Sequence, residues 1–82
     1  MARFFFDLTD GSLSSRDDEG AVFTTLAAVE AEAIRTLVDA AKDARAPADV
    51  ADVGIAVRNE AGETVLSMVL RLDVLRTPTL WP

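Results

Sequence analysis

The 82-residue sequence contains no cysteine and no histidine. The first absence excludes disulfides and thiolate metal sites and suits a reducing compartment. The second removes the commonest metal ligand and the commonest general base near neutral pH. Basic residues are sparse. Lys42 is the only lysine, and eight Lys and Arg stand against fourteen Asp and Glu, a formal charge of −6. Neutralising nucleic-acid phosphates takes clustered cations, so no direct nucleic-acid partner is expected. No basic leader precedes an apolar run, and no apolar stretch approaches membrane-spanning length. A cytoplasmic chain with no membrane partner is the expectation. A glycine-rich phosphate loop is missing too, since Gly11, Gly20, Gly54 and Gly62 are scattered.

What the chain does have is apolar material: half of its residues are hydrophobic, too many for a disordered chain. The length suits one thin-cored domain, taken as residues 1–76, with a C-terminal tail at 77–82 that holds two of the three prolines and the only tryptophan. Residues 3–8 read as a strand and Thr9-Asp10-Gly11 as a turn, because glycine accepts the positive φ that hairpins demand. Residues 12–16 return as a short polar strand, which Asp17-Asp18-Glu19-Gly20 breaks. Ala21-Val22-Phe23 resumes the strand across a bulge. Thr24 or Thr25 is the expected N-cap of an Ala-, Leu- and Glu-rich helix that Pro47 ends after Ala46. Leu26, Ala33, Leu37, Ala40, Ala41 and Ala44 share one side of it, flanked by Val29, Ile34 and Val38. Glu30 projects near this arc and is expected to reach past the sheet edge. Residues 53–58 and 63–72 alternate apolar and polar around a four-residue loop, Asn59 to Gly62.

These elements predict an α+β fold of ββαββ type: a four-stranded antiparallel sheet, order 2-1-3-4, with one helix on one face. Leu37 from the helix and Phe6 from the first strand are expected core residues. The opposite sheet face then collects Phe5, Ala56, Val65 and Val69, a small apolar patch among mixed charges. Together with Trp81 these form the expected interface, and a homodimer is the expected assembly. The last strand lies at an edge with no Pro or Lys to block pairing. Residues 1–41 hold eight acids and three bases, a balance of −5, against −1 for the remainder. Asp10, Asp17, Asp18 and Glu19 are accordingly read as an acidic surface for a basic protein partner.

RFFFDLTDG at residues 3–11, DDEG at 17–20, Glu32-Ala33 and VRNEAG at 57–62 resemble a functionally uncharacterised family of short bacterial proteins. Its members open R-Y/F-F-F-D-x-x-D-G, continue with D-x-x-G and close on a V-R-D-E-x-G hairpin. The resemblance spans roughly residues 3 to 72. It implies these boundaries and no catalytic residue. Phe4 stands where Tyr is common, and Asn59 where Asp is common. The layout is also similar to that of HicB-type antitoxins, in arrangement alone.

Ser12, Ser14, Ser15 and Ser67 lack a neighbouring base, so nucleophilic catalysis is not expected. The acids of the first hairpin admit carboxylate or hard-cation chemistry, but they do not follow EF-hand spacing, and turn chemistry explains them more simply. No catalytic residue, metal ligand or cofactor is assigned. A non-catalytic interaction module is the leading reading. A HicB-like antitoxin that masks a basic toxin and a small carboxylate- or metal-dependent enzyme are the alternatives.

Overall fold

The computed structural model describes residues 1–11, 13–43 and 50–80. β1 (Ala2–Asp10), β2 (Leu13–Ser15) and β3 (Ala21–Phe23) precede α1 (Leu26–Asp43), and β4 (Val50–Arg58) and β5 (Thr64–Asp73) follow it. The fold is α+β, with one helix among the described residues and an antiparallel sheet in the order β2-β1-β4-β5, β3 pairing β1 as well.

The sheet has five strands, one more than the alternation predicts, because the return from the first hairpin is split. Leu13 to Ser15 pair with Leu8 to Asp10, and Ala21 to Phe23 pair with Ala2 to Phe4. Residues 16–20 therefore stand opposite residues 5–7, two residues in excess. An ordinary bulge carries one extra residue. The surplus here is large enough to form a loop that leaves the ladder and folds back over it.

Alternation puts Val53, Ile55 and Val57 of β4 toward the helix, where all three are buried with Phe4, Val29, Ala33 and Leu37. Phe6, Leu8, Phe23, Leu66 and Met68 pack around this core. Leu37 takes its expected core position. The fully buried phenylalanine of β1 is Phe4, while Phe6 is half-buried and meets the Phe23 ring edge-on at 5.7 Å. The helix touches β4 and β5 most. Val29, Ala33 and Leu37 recur every four residues, and small alanines at 40 and 41 continue their stripe. Leu26, Ile34 and Val38 are exposed. At about 100° per residue Ile34 and Val38 lie well round from that stripe, and Leu26 stands in the first turn. Glu30 is exposed, as expected.

Thr25 is the N-cap: its Oγ1 accepts from Ala28 N at 3.1 Å, and its carbonyl takes the first helical bond, from Val29 N. The expected helix end at Ala46 and Pro47 lies outside the described residues, as does Ser12. The β4–β5 connection, residues 59–63, has five residues rather than four. Asn59 and Glu63 close it backbone to backbone at 2.9 Å, with Gly62 at φ 84° in the left-handed conformation that such a loop requires.

Candidate functional site

On the sheet face turned away from α1, β1 presents Phe5, Asp7 and Thr9, and β4 presents Arg58, Ala56 and Gly54. Register sets Phe5 opposite Arg58 and Asp7 opposite Ala56. Arg58 leans along the strand onto Asp7, Nε to Oδ2 at 2.5 Å and a terminal nitrogen to Oδ1 at 3.0 Å. This is the two-pronged geometry of strong Arg–carboxylate pairs. The two side chains are only 14% and 24% exposed. The guanidinium also lies 5.0 Å from the centre of the Phe5 ring, within cation–π range. Phe5 is half-buried beneath it.

The surplus loop closes over the same place. Asp17 Oδ2 accepts from Phe6 N at 3.0 Å, where β1 has no ladder partner on that side. Its Oδ1 accepts from Glu19 N and Gly20 N at 3.1 and 3.0 Å. In return Asp17 N donates to Asp7 at 2.9 Å, and Arg58 donates to the Asp17 carbonyl at 2.9 Å. Arg3 ties down the far end, donating to the Glu19 carbonyl at 2.9 Å. Gly20 has φ 70°, and a Cβ there would stand 2.7 Å from the Phe4 carbonyl oxygen and 2.9 Å from the Phe5 ring. Glycine is needed at that position for both its conformation and its size.

The electrostatics follow from the contacts. Hydrogen bonding from Arg58 holds the Asp7 carboxyl below the usual carboxylate range, against the opposing effect of burial. At Asp17 burial is the largest influence and raises the pKa. Backbone N–H groups of Phe6, Gly20 and Glu19 outweigh it, and the net direction is down. Asp7 likewise raises the pKa of Arg58.

The predicted site residues are only partly brought together. Phe5 is covered within the chain by Arg58 and by the Gly20 backbone, so the Asp7–Arg58 pair stands in the middle of the expected patch. Ala56 is half-buried beside it. Val65 is the extra residue where the β4–β5 register shifts, and it is exposed. Val69 is opposite Gly54, farther along the sheet, and is 72% exposed. Trp81 lies outside the described residues. Among the acids, Asp17 turns its carboxylate onto backbone donors. Asp18 and Glu19 face solvent beside it, Asp18 paired with Arg16 at 3.5 Å. Asp10 stands at the end of β1, about 10 Å along the strand. These acids are neighbours along the chain, whereas in space Arg3, Arg16 and Arg58 come in among them.

Sequence reading missed the Asp7–Arg58 pair and the loop built on Asp17. Their signal was available: Asp7 and Arg58 fall on the same predicted sheet face, and Asp7, Asp17, Gly20 and Arg58 all lie in the motif blocks. Among the described residues no three acidic side chains converge as a metal site, and no helix is long and apolar enough to cross a membrane.

Over residues 3–71 the chain matches the model of a family described as Domain of unknown function (DUF6894), and it belongs to that family. No curated protein and no solved structure matches it.

Proposed function

We propose that this member of the family is a small non-catalytic interaction module that assembles into a homodimer through its sheet, in the bacterial cytoplasm. One observation carries the reading. β5 is a ten-residue outer strand, it contains neither Pro nor Lys, and Val65, Val69, Leu70 and Leu72 along it are exposed. Such an edge offers a row of backbone donors and acceptors to another chain. The cluster on the outer face supports a structural rather than catalytic role. Its carboxylates are spent on Arg58 and on backbone N–H groups, and a general acid or base needs a pKa near the working pH.

A basic protein partner at Asp10, Asp18 and Glu19 ranks second, because the three arginines among these acids weaken their field. The HicB-like antitoxin and the metal-dependent enzyme rank behind both. Light scattering at micromolar concentration tests the leading reading: a mass twice that of the chain is expected, and a clean monomer rejects it. Asp18→Lys with Glu19→Lys, which leaves Asp17 in place, tests the second reading against any basic protein captured from the host.

A further inference from the structure

β5 outruns the rest of the sheet. β1 follows β4 only to Val53, opposite Asp10, whereas β5 continues along β4 until Asp73 faces Val50. The far end of β5 is also where apolar residues crowd. Leu70 and Leu72, on the helix side by alternation, are 38% and 61% exposed, and beyond the strand Leu75 is 94% exposed. Between and beyond these leucines stand two opposite charges on the other face. Arg71 and Asp73 are joined at 3.1 Å, and Arg71 also reaches Asp52 at 3.9 Å.

An arginine and an aspartate separated by one residue have a symmetry property. A two-fold axis through the middle residue sets each opposite the other's copy. Resting on the self-association reading above, we infer that two chains pair β5 to β5, antiparallel, about an axis through Leu72. Leu72 then meets its own copy. Arg71 faces the partner's Asp73 and Asp73 faces the partner's Arg71. Leu70 lies against the partner's Val74 and Val69 against the partner's Leu75, two residues that follow the end of β5 at Asp73 and extend it on pairing. Directly opposed unlike charges and apolar pairs favour antiparallel strands, and like charges oppose them. The sheet continues from one chain to the next with both helices on one side, and the exposed leucines become its middle.

The competing symmetric registers are poorer. An axis through Arg71 brings two guanidinium groups face to face. One through Met68 sets Glu63 against Asp73. Axes through Val69 or Leu70 put both charges opposite uncharged residues. One through Ser67 pairs Glu63 with Arg71, but the register shift at Val65 interrupts the strand there, and Glu63 already accepts from Asn59 Nδ2 at 3.2 Å.

The natural chain has no cysteine, so a single introduced thiol reports the register directly. Cβ atoms directly opposed in paired strands are about 5 Å apart, close to disulfide geometry. Under mild oxidation Leu72→Cys is expected to cross-link nearly completely into a dimer, with Val69→Cys and Ser67→Cys largely uncross-linked at the same concentration. Arg71→Asp is expected to weaken the dimer roughly tenfold or more, and adding Asp73→Arg to restore it. All five positions are exposed, and a melting curve for each variant verifies folding. A dimer by light scattering that links through Val69→Cys or Ser67→Cys instead, or through none of the three, overturns this pairing and leaves self-association standing. A monomer overturns both.

Discussion

Asp17 sits in a loop, yet its carboxylate accepts from three backbone N–H groups and its own N–H donates to Asp7. Asp7 in turn is held by Arg58. Removing either acid leaves partners without a bond inside a half-buried cluster. Both pKa values are lowered by folding, so the unfolded chain takes up these protons at higher pH than the folded one. Their contribution is complete above the unfolded carboxylate range, about pH 4, and is lost as pH falls through the lower folded values. Melting temperature should therefore drop on acidification below about pH 4. Asp7→Asn should melt lower at pH 7 and show a shallower acid slope, and an unchanged slope would contradict the assignment. Gly20 supplies a second residue-scale prediction. Gly11 and Gly20 both have positive φ, but a Cβ at Gly11 meets nothing within 4 Å. Gly11→Ala should cost about 1 kcal/mol for backbone strain alone. Gly20→Ala should cost about 2–3 kcal/mol or more, because the clash adds to it. Denaturant midpoints of the two variants measure the difference. Asn59 shows a related economy: its Oδ1 accepts from Ala61 N and Glu63 N while its Nδ2 donates to Glu63, and the last bond needs an amide.

At the scale of elements, the helix is specified from both ends of its physics. Thr25 caps it, and Val29, Ala33 and Leu37 anchor it to the sheet. Thr25→Ala should lose about 1 kcal/mol, with Thr24→Ala near neutral, since Thr25 makes the cap bond. Leu37→Ala should cost about 2–5 kcal/mol by opening a cavity under β4. In a small domain that is a large share of the total stability. Equilibrium unfolding in urea checks both, and a loss below about 1 kcal/mol for Leu37→Ala would mean that another helix face is buried. The strands were legible from alternation, and the helix from its apolar spacing. The break of the first return at Asp17–Gly20 and its resumption at Ala21–Phe23 were legible, but the loop that fills the break was not, because residues 16–20 match neither period. What holds those residues is Asp17 bonding to a strand eleven positions earlier in sequence, a contact that no local pattern encodes.

At the scale of the molecule, the sheet is closed on one side and open on the other. β2 and β3 share the β1 edge and are only three residues each, while β5 runs for ten. Short, interrupted strands blunt one edge, and the other is left long. If that edge joins two chains, folding and assembly are linked by mass action. The melting temperature should then rise with protein concentration over about a hundredfold range. Leu72→Lys, which puts a charge at the centre of the pairing, should abolish the rise while leaving the dilute-limit value nearly unchanged. Calorimetry at both ends of that range checks this, and a concentration-independent melting temperature for the natural chain would argue for a monomer.

Composition and periodicity by themselves determined the α+β class, the helix, the principal strands and the absence of thiol and imidazole chemistry. These are local properties: turn residues, spacing of two or of about three and a half, and residue inventory. Only the tertiary structure decided what covers Phe5 and what the acids of the first hairpin do. Arg58 comes from the far half of the chain, 51 positions from Asp7, and lies over both Asp7 and the phenylalanine ring. The sequence order of charges says which residues are acidic. The register of β1 on β4 says which of them meets an arginine, because charges interact through distance in space and not through position along the chain.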